Sequence, residues 1–142
     1  MSDSTNPERQ RIVPYLYYAD GAAALEFLCR AFGFKEVFAV KRPDGTLMHG
    51  EVGYQSNVVA LGTPVDESGS PKKSLRGLPD RPSSVMCSID DIDAHFARAR
   101  DAGAQIEQAL EDQPYGARTY TAVDPEGHVW HFTMPLDDEA GK

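Results

Sequence analysis

Several side chains in this 142-residue sequence carry chemistry by their type and spacing. His49-Gly50-Glu51 sets an imidazole and a carboxylate two residues apart. In a strand, alternate side chains share a face, so the two would work together. Such a pair can move a proton or hold an amine. Tyr15 and Tyr17 stand in the same relation and offer two phenol rings for stacking. Near the C-terminus, Asp124-Pro125-Glu126-Gly127 reads as a type I turn with a bulge at the glycine. That turn pairs His131 with Thr121 and Thr133 with Thr119, and sends Tyr120, Trp130 and Phe132 to the opposite face. Arg118 can clamp an anion through two parallel hydrogen bonds or brace its own loop, and both readings stay open. Asp90, Asp91 and Asp93 suit a helix start and lack the ligand pattern of a calcium loop. Cys29 and Cys87 fall on apolar faces, where a thiol is inert, so no Cys–His–Asp nucleophile is expected. On the second predicted helix His95 is expected to face solvent, and His128, just after a turn, to be structural or exposed.

The elements that must position these groups come in two similar runs. Ile12–Tyr18 is an apolar, aromatic strand candidate. Asp20 can cap a following helix whose stripe is Leu25, Leu28, Cys29 and Phe32, and Gly33 ends it. Strands are predicted at Lys35–Lys41, Thr46–Tyr54 and Asn57–Gly62. The turn Gln55-Ser56 pairs Glu51 with Ala60. The second run begins with strand Ser84–Ile89, then a helix capped by Asp90, carrying Ile92, Phe96 and Ala99, and stopped by Gly103. Strands Gln105–Ala109, Arg118–Val123 and His128–Met134 follow. Asp90 and Gly103 each lie 70 residues after their counterparts Asp20 and Gly33. The predicted architecture is α+β: two βαβββ modules, 11–62 and 83–135, joined by a Pro- and Ser-rich linker 63–82, with flexible tails 1–10 and 136–142.

Composition narrows the function classes. The net charge of −8 argues against tracking a phosphate backbone, so no nucleic-acid partner is expected. No apolar run approaches the roughly 20 residues of a membrane helix, and the polar start is unlike a secretory leader. With two unpaired cysteines, a reducing cytoplasm is the expected location. The acidity is concentrated: residues 83–135 hold nine acids against three bases, whereas 11–62 are balanced. Solubility accounts for such a surface, and so does a cationic ligand.

The order and spacing of Pro14–Asp20, Ala24–Leu28, Ala31–Phe34, His49–Glu51, Tyr115–Arg118 and Asp124–Trp130 resemble the glyoxalase/bleomycin-resistance/dioxygenase superfamily, also called vicinal oxygen chelate. The resemblance runs from about residue 11 to 135. It implies two βαβββ modules with curled mixed sheets around a cavity, helices on the outer faces, and a homodimer that often pairs modules between chains. Metal-dependent members place ligands at four spots, which here read Val13, Ala60, Ser84 and His131. A divalent site needs about three protein ligands, and only His131 suits, so no cofactor is expected; Glu51 with His131 is the residual candidate for a displaced metal. With Val13 and Ser84 facing the cavity, alternation adds Tyr15, Tyr17, His49, Glu51, Val58, Ala60, Met86, Thr121 and His131. The expected ligand residues are Tyr15, Tyr17, His49, Glu51, Met86, Thr121 and His131. The resemblance implies a metal-independent binder, similar to bleomycin-resistance proteins, that sequesters an aromatic or cationic small molecule. The alternative is a lyase, isomerase or dioxygenase with a relocated metal or a Glu51/His131 acid–base pair.

Overall fold

The computed structural model describes residues 10–65, 68–70 and 83–136. The predicted tails, apart from Gln10 and Leu136, and most of the predicted linker lie outside the described residues. The chain runs β1 (Tyr15–Tyr17), α1 (Gly21–Phe32), β2 (Lys35–Lys41), β3 (Leu47–Tyr54) and β4 (Asn57–Gly62). It then repeats the order as β5 (Val85–Ser88), α2 (Ile92–Asp101), β6 (Gln105–Gln113), β7 (Ala117–Val123) and β8 (Val129–Pro135). Each βαβββ run forms one open four-stranded sheet, ordered β1-β4-β3-β2 and β5-β8-β7-β6. The first strand of each joins the last in parallel, and the remaining pairs are antiparallel. The α+β class and the doubled order are those predicted.

Local signals explain the boundaries. The Asp20 carboxylate accepts from the Ala23 N–H at 3.0 Å, and Gly33 closes α1 with φ 76°. A side chain at Gly33 would be strained there. The cap of α2 falls one residue later than predicted: Asp91 accepts from the Ala94 N–H at 3.2 Å. Asp90 instead accepts from Gln55 Nε2 at 2.6 Å. Three neighbouring aspartates all suit a helix start, and which one caps depends on where β5 releases the chain. β6 extends to Gln113 because two bulges, after Ile106 and after Gln108, break its alternation without ending its pairing to β7.

Alternate side chains of β1, β7 and β8 meet the helices. Tyr18, Tyr120, Trp130 and Phe132 are fully buried, as the strand parity predicts. Phe32 of α1 lies 5.0 Å from Phe132 and 5.6 Å from Trp130, centroid to centroid, and Phe34 lies 5.5 Å from Trp130. The helix-covered faces of the two modules therefore share one core.

His95 belongs to that core, contrary to the expectation that it faces solvent: it is 8% exposed. Its Nε2 lies 2.7 Å from the Phe32 carbonyl and its Nδ1 2.6 Å from Tyr120 Oη. The short run Ile92–Asp101 turns its polar residue inward because α1 and β7 both present hydrogen-bonding groups to it.

The turn after β7 fastens module two to module one. Asp124, 3% exposed, accepts from Tyr18 Oη at 2.5 Å, from Trp130 Nε1 at 3.1 Å and from two backbone N–H groups of its own turn. Glu126 accepts from the backbone N–H groups of Ala19 and Asp20 at 2.6 and 2.8 Å. His128 donates from Nε2 to the Tyr17 carbonyl at 2.8 Å, a structural role.

Candidate functional site

Because Leu16 and Tyr18 turn toward α1, Tyr15 and Tyr17 stand on the other, open face of the first sheet. Register then aligns a row across that sheet: Tyr15 beside Ala60, Ala60 beside Glu51, and Glu51 beside Phe38. His49 shares the face two residues from Glu51. The rings form a continuous aromatic file: Tyr17 to Tyr15 at 5.3 Å, Tyr15 to His49 at 5.4 Å, and His49 to Phe38 at 5.5 Å, the last pair stacked. Gly62 makes room for it. A Cβ there would meet Tyr15 Oη and the Met48 carbonyl, each at 2.8 Å.

The same residues form a hydrogen-bonded chain. His49 Nε2 lies 3.2 Å from Glu51 Oε2, and His49 Nδ1 lies 3.2 Å from Tyr15 Oη. A carboxylate only accepts, so the proton sits on Nε2 and Tyr15 donates to the bare Nδ1. Burial first, then the neighbouring Tyr17, raise the pKa of Tyr15 above the ordinary tyrosine value, which keeps it a donor.

The open face of the second sheet is built at matching positions with different chemistry. Met86 stands beside His131, His131 beside Thr121, and Thr121 beside Gln108. Thr121 Oγ1 lies 3.0 Å from His131 Nδ1. Met86, Gln108, Gln113, Tyr115, Thr119, Thr121 and His131 line a cleft of about 430 Å³ there.

Of the expected ligand residues, Tyr15, Tyr17, His49 and Glu51 come together on the first sheet, and Met86, Thr121 and His131 on the second. No hydrogen bond or ring contact among the described residues joins the two sets. In particular, Glu51 is partnered by His49, and His131 by Thr121. Sequence reasoning missed Phe38, Gln108, Gln113 and Thr119. The 70-residue offset already seen at the helix ends would have found one of them, since His49 maps to Thr119.

The metal positions implied by the resemblance do not fit an ion. Val13 and Ala60 carry no donor atom, and His131 already faces Thr121. Among the described residues, no group of three or more His, Cys, Asp or Glu side chains could hold a metal. Both cysteines are unbridged, and burial pushes the Cys87 thiol up to about 11.

Most of the acidity of module two serves the fold. Asp91 caps α2, and Asp124 and Glu126 hold the turn. Asp93 and Asp112 grip Arg118, with Asp112 Oδ1 2.6 Å and Asp93 Oδ1 3.1 Å from the guanidinium. That closes the two readings of Arg118 in favour of a local brace. Hydrogen bonds from Arg118 hold the Asp112 carboxyl below its ordinary pKa.

Two open sheets, each with one face sealed by a helix and the other bearing polar and aromatic side chains, define a paired-βαβββ protein. Residues 10–132 match the glyoxalase/bleomycin resistance protein/dioxygenase superfamily, and the chain belongs to that superfamily. An uncharacterized protein of Mycobacterium tuberculosis (strain H37Rv) is 35% identical over 124 residues, covering 87% of this chain and 73% of that protein. The crystal structure of TioX from Micromonospora sp. ML1 is similar with TM-score 0.69 and 32% identity, covering 89% of this chain and 97% of TioX. The fosfomycin resistance protein FosX of Listeria monocytogenes shares the fold, with TM-score 0.64 and 11% identity over 92% of this chain and 96% of that one. Among the described residues no helix is long and apolar enough to cross a membrane.

Proposed function

We propose that this protein binds an aromatic or cationic small molecule on the open face of its first sheet, without a metal, and releases it unchanged. The observation that carries this reading is the aromatic file Tyr17–Tyr15–His49–Phe38 ending beside Glu51. Four rings in a row exceed what packing requires, since Tyr15 and Tyr17 are 42% and 55% exposed. A planar ligand would gain roughly 0.5–1.5 kcal/mol per stacked ring beyond the area it buries. Glu51 would meet a positive charge. Membership of a superfamily that includes bleomycin resistance proteins supports a small-molecule role. We further infer that the face is covered by a second copy of the chain, whose other module would supply Met86, Thr121 and His131. The unbridged cysteines suit a cytoplasmic setting.

A second reading, an enzyme, has one observation in its favour: the Tyr15–His49–Glu51 chain, which replaces the Glu51/His131 pair as the acid–base candidate. In it Glu51 would orient the imidazole, and Nδ1 would take the Tyr15 proton as the phenol oxygen accepts one from the substrate.

One experiment separates the readings. Proflavine, a planar cationic dye, is titrated by fluorescence and then recovered. The binder predicts micromolar affinity, a loss of tenfold or more (about 1.4 kcal/mol) in Tyr15→Ala, and intact dye. No binding, or undiminished binding in that variant, sinks the proposal. Turnover of carbonyl-bearing aromatic compounds that is abolished in His49→Gln would install the enzyme.

A further inference from the structure

Pseudo-equivalent positions of the two open faces carry opposite chemistry. Tyr15, Phe38, His49 and Glu51 on the first correspond to Met86, Gln108, Thr119 and Thr121 on the second. The first face is aromatic and holds a carboxylate. At these four positions the second carries no carboxylate, although Glu111 pairs with Thr119 on the same face, and its glutamine amides are arranged in one direction.

That direction follows from Thr119. Gln108 Nε2 and Gln113 Nε2 both donate to its Oγ1, at 3.1 and 3.0 Å. Gln108 Nε2 also lies 3.5 Å from the Thr119 carbonyl and 3.4 Å from the Ala109 carbonyl. Carbonyl oxygens only accept, so an amide oxygen turned toward them would be repelled, and the nitrogen must point inward. Each Oε1 is left without a donor among the described residues, on the wall of the cleft. The bulges after Ile106 and after Gln108 flank this position in β6, a placement that recurs where a strand re-aims a side chain. Among the described residues no Asp, Glu, Lys or Arg lines the cleft. The two glutamine oxygens are neutral acceptors set among the hydroxyls of Tyr115, Thr121 and Thr133; they favour a ligand that brings N–H donors, because an acceptor left unmet loses its water without replacement.

We propose that the second face is a subsite for N–H donors, so that the bound compound is an aromatic molecule bearing a primary or secondary carboxamide. The proposal rests on the small-molecule reading above. In the complete site the aromatic group lies on the tyrosine file and the carboxamide N–H meets Gln108 Oε1 or Gln113 Oε1.

Naphthalene-2-carboxamide and its N,N-dimethyl derivative test it on the full chain by calorimetry. They share the ring and the carbonyl and differ in the N–H groups. The expected result is about fivefold tighter binding of the primary amide, the worth of one net hydrogen bond. In the double variant Gln108→Leu, Gln113→Leu the preference should shrink to within twofold. A second measurement does not depend on variants: the side-chain amide resonances of Gln108 and Gln113 should move on adding the primary amide and stay still with the dimethyl one. Equal affinity for both amides, or a preference that survives the double variant, overturns the subsite and leaves the binding reading standing. Failure of both amides while proflavine binds also overturns the subsite alone; failure of all three overturns both.

Discussion

The tautomer of His95 follows from its neighbours. The Phe32 carbonyl can only accept, so Nε2 carries the proton and Tyr120 donates to Nδ1. Burial lowers the His95 pKa, the nearby Arg98 pushes it the same way, and the bond to Phe32 opposes them. The unfolded chain therefore binds a proton at a pH where the folded chain does not. Stability is full above the ordinary histidine value of about 6.5 and declines as pH falls through it toward the lower folded value. Urea unfolding midpoints should drop between pH 7.5 and 5.5, before carboxylates contribute their own slope, and His95→Gln should flatten that drop. A parent midpoint constant across the window would contradict the assignment. Helical periodicity could not reveal this residue: it reports which positions face inward only when those positions are apolar, and here the inward group is a histidine satisfied by partners 25 and 63 residues away.

At the scale of elements, the turn between β7 and β8 does more than reverse the chain. Its sequence, Asp124-Pro125-Glu126-Gly127, was legible as a turn, and with it the register that seats Thr121 beside His131. Its second task was not legible, because the partners Tyr18, Ala19 and Asp20 lie more than 100 residues away. Asp124→Ala should remove about 3 kcal/mol of stability, because Tyr18 Oη and Trp130 Nε1 would be left buried without an acceptor. Tyr18→Phe should cost less, about 1–2 kcal/mol, since Asp124 keeps its other donors. Chemical denaturation of the three proteins checks the order; a loss under 1 kcal/mol in Asp124→Ala would show that the turn does not fasten the modules. Lys35–Lys41 and Asn57–Gly62 were readable as apolar runs set between turns, although β2 carries register shifts of its own. β6 was cut short at Ala109 because its last residues, Glu111-Asp112-Gln113, are polar and carry no strand signal.

For the whole molecule, the sealed faces and the open faces tell different stories. The core is shared between modules within one chain, whereas the side chains expected to line one cavity stand on two separate surfaces. Tyr17 and Met86, 55% and 72% exposed, stand on the first strands of the two open faces. If a second copy covers them, light scattering should give twice the 15.6 kDa chain mass. Tyr17→Asp combined with Met86→Asp should return the chain mass while the far-UV spectrum stays unchanged. A single-chain mass at all concentrations would refute the pairing. The face assignments were readable because strand parity is local; whether the faces meet depends on how modules dock, which no local pattern encodes.

The strict separation of core and open faces also makes the recognition surface editable. Gln108 and Thr119 lie half-buried on strands whose buried neighbours already fix the register, whereas Thr121 is buried and a larger side chain there must displace its neighbours. Carrying the first face's residues onto the two half-buried positions, Gln108→Phe and Thr119→His, would yield a protein whose second surface is closer to its first. Its choice of ligand would then be rewritten from one sheet alone, a route to retargeting this scaffold without redesigning its interior.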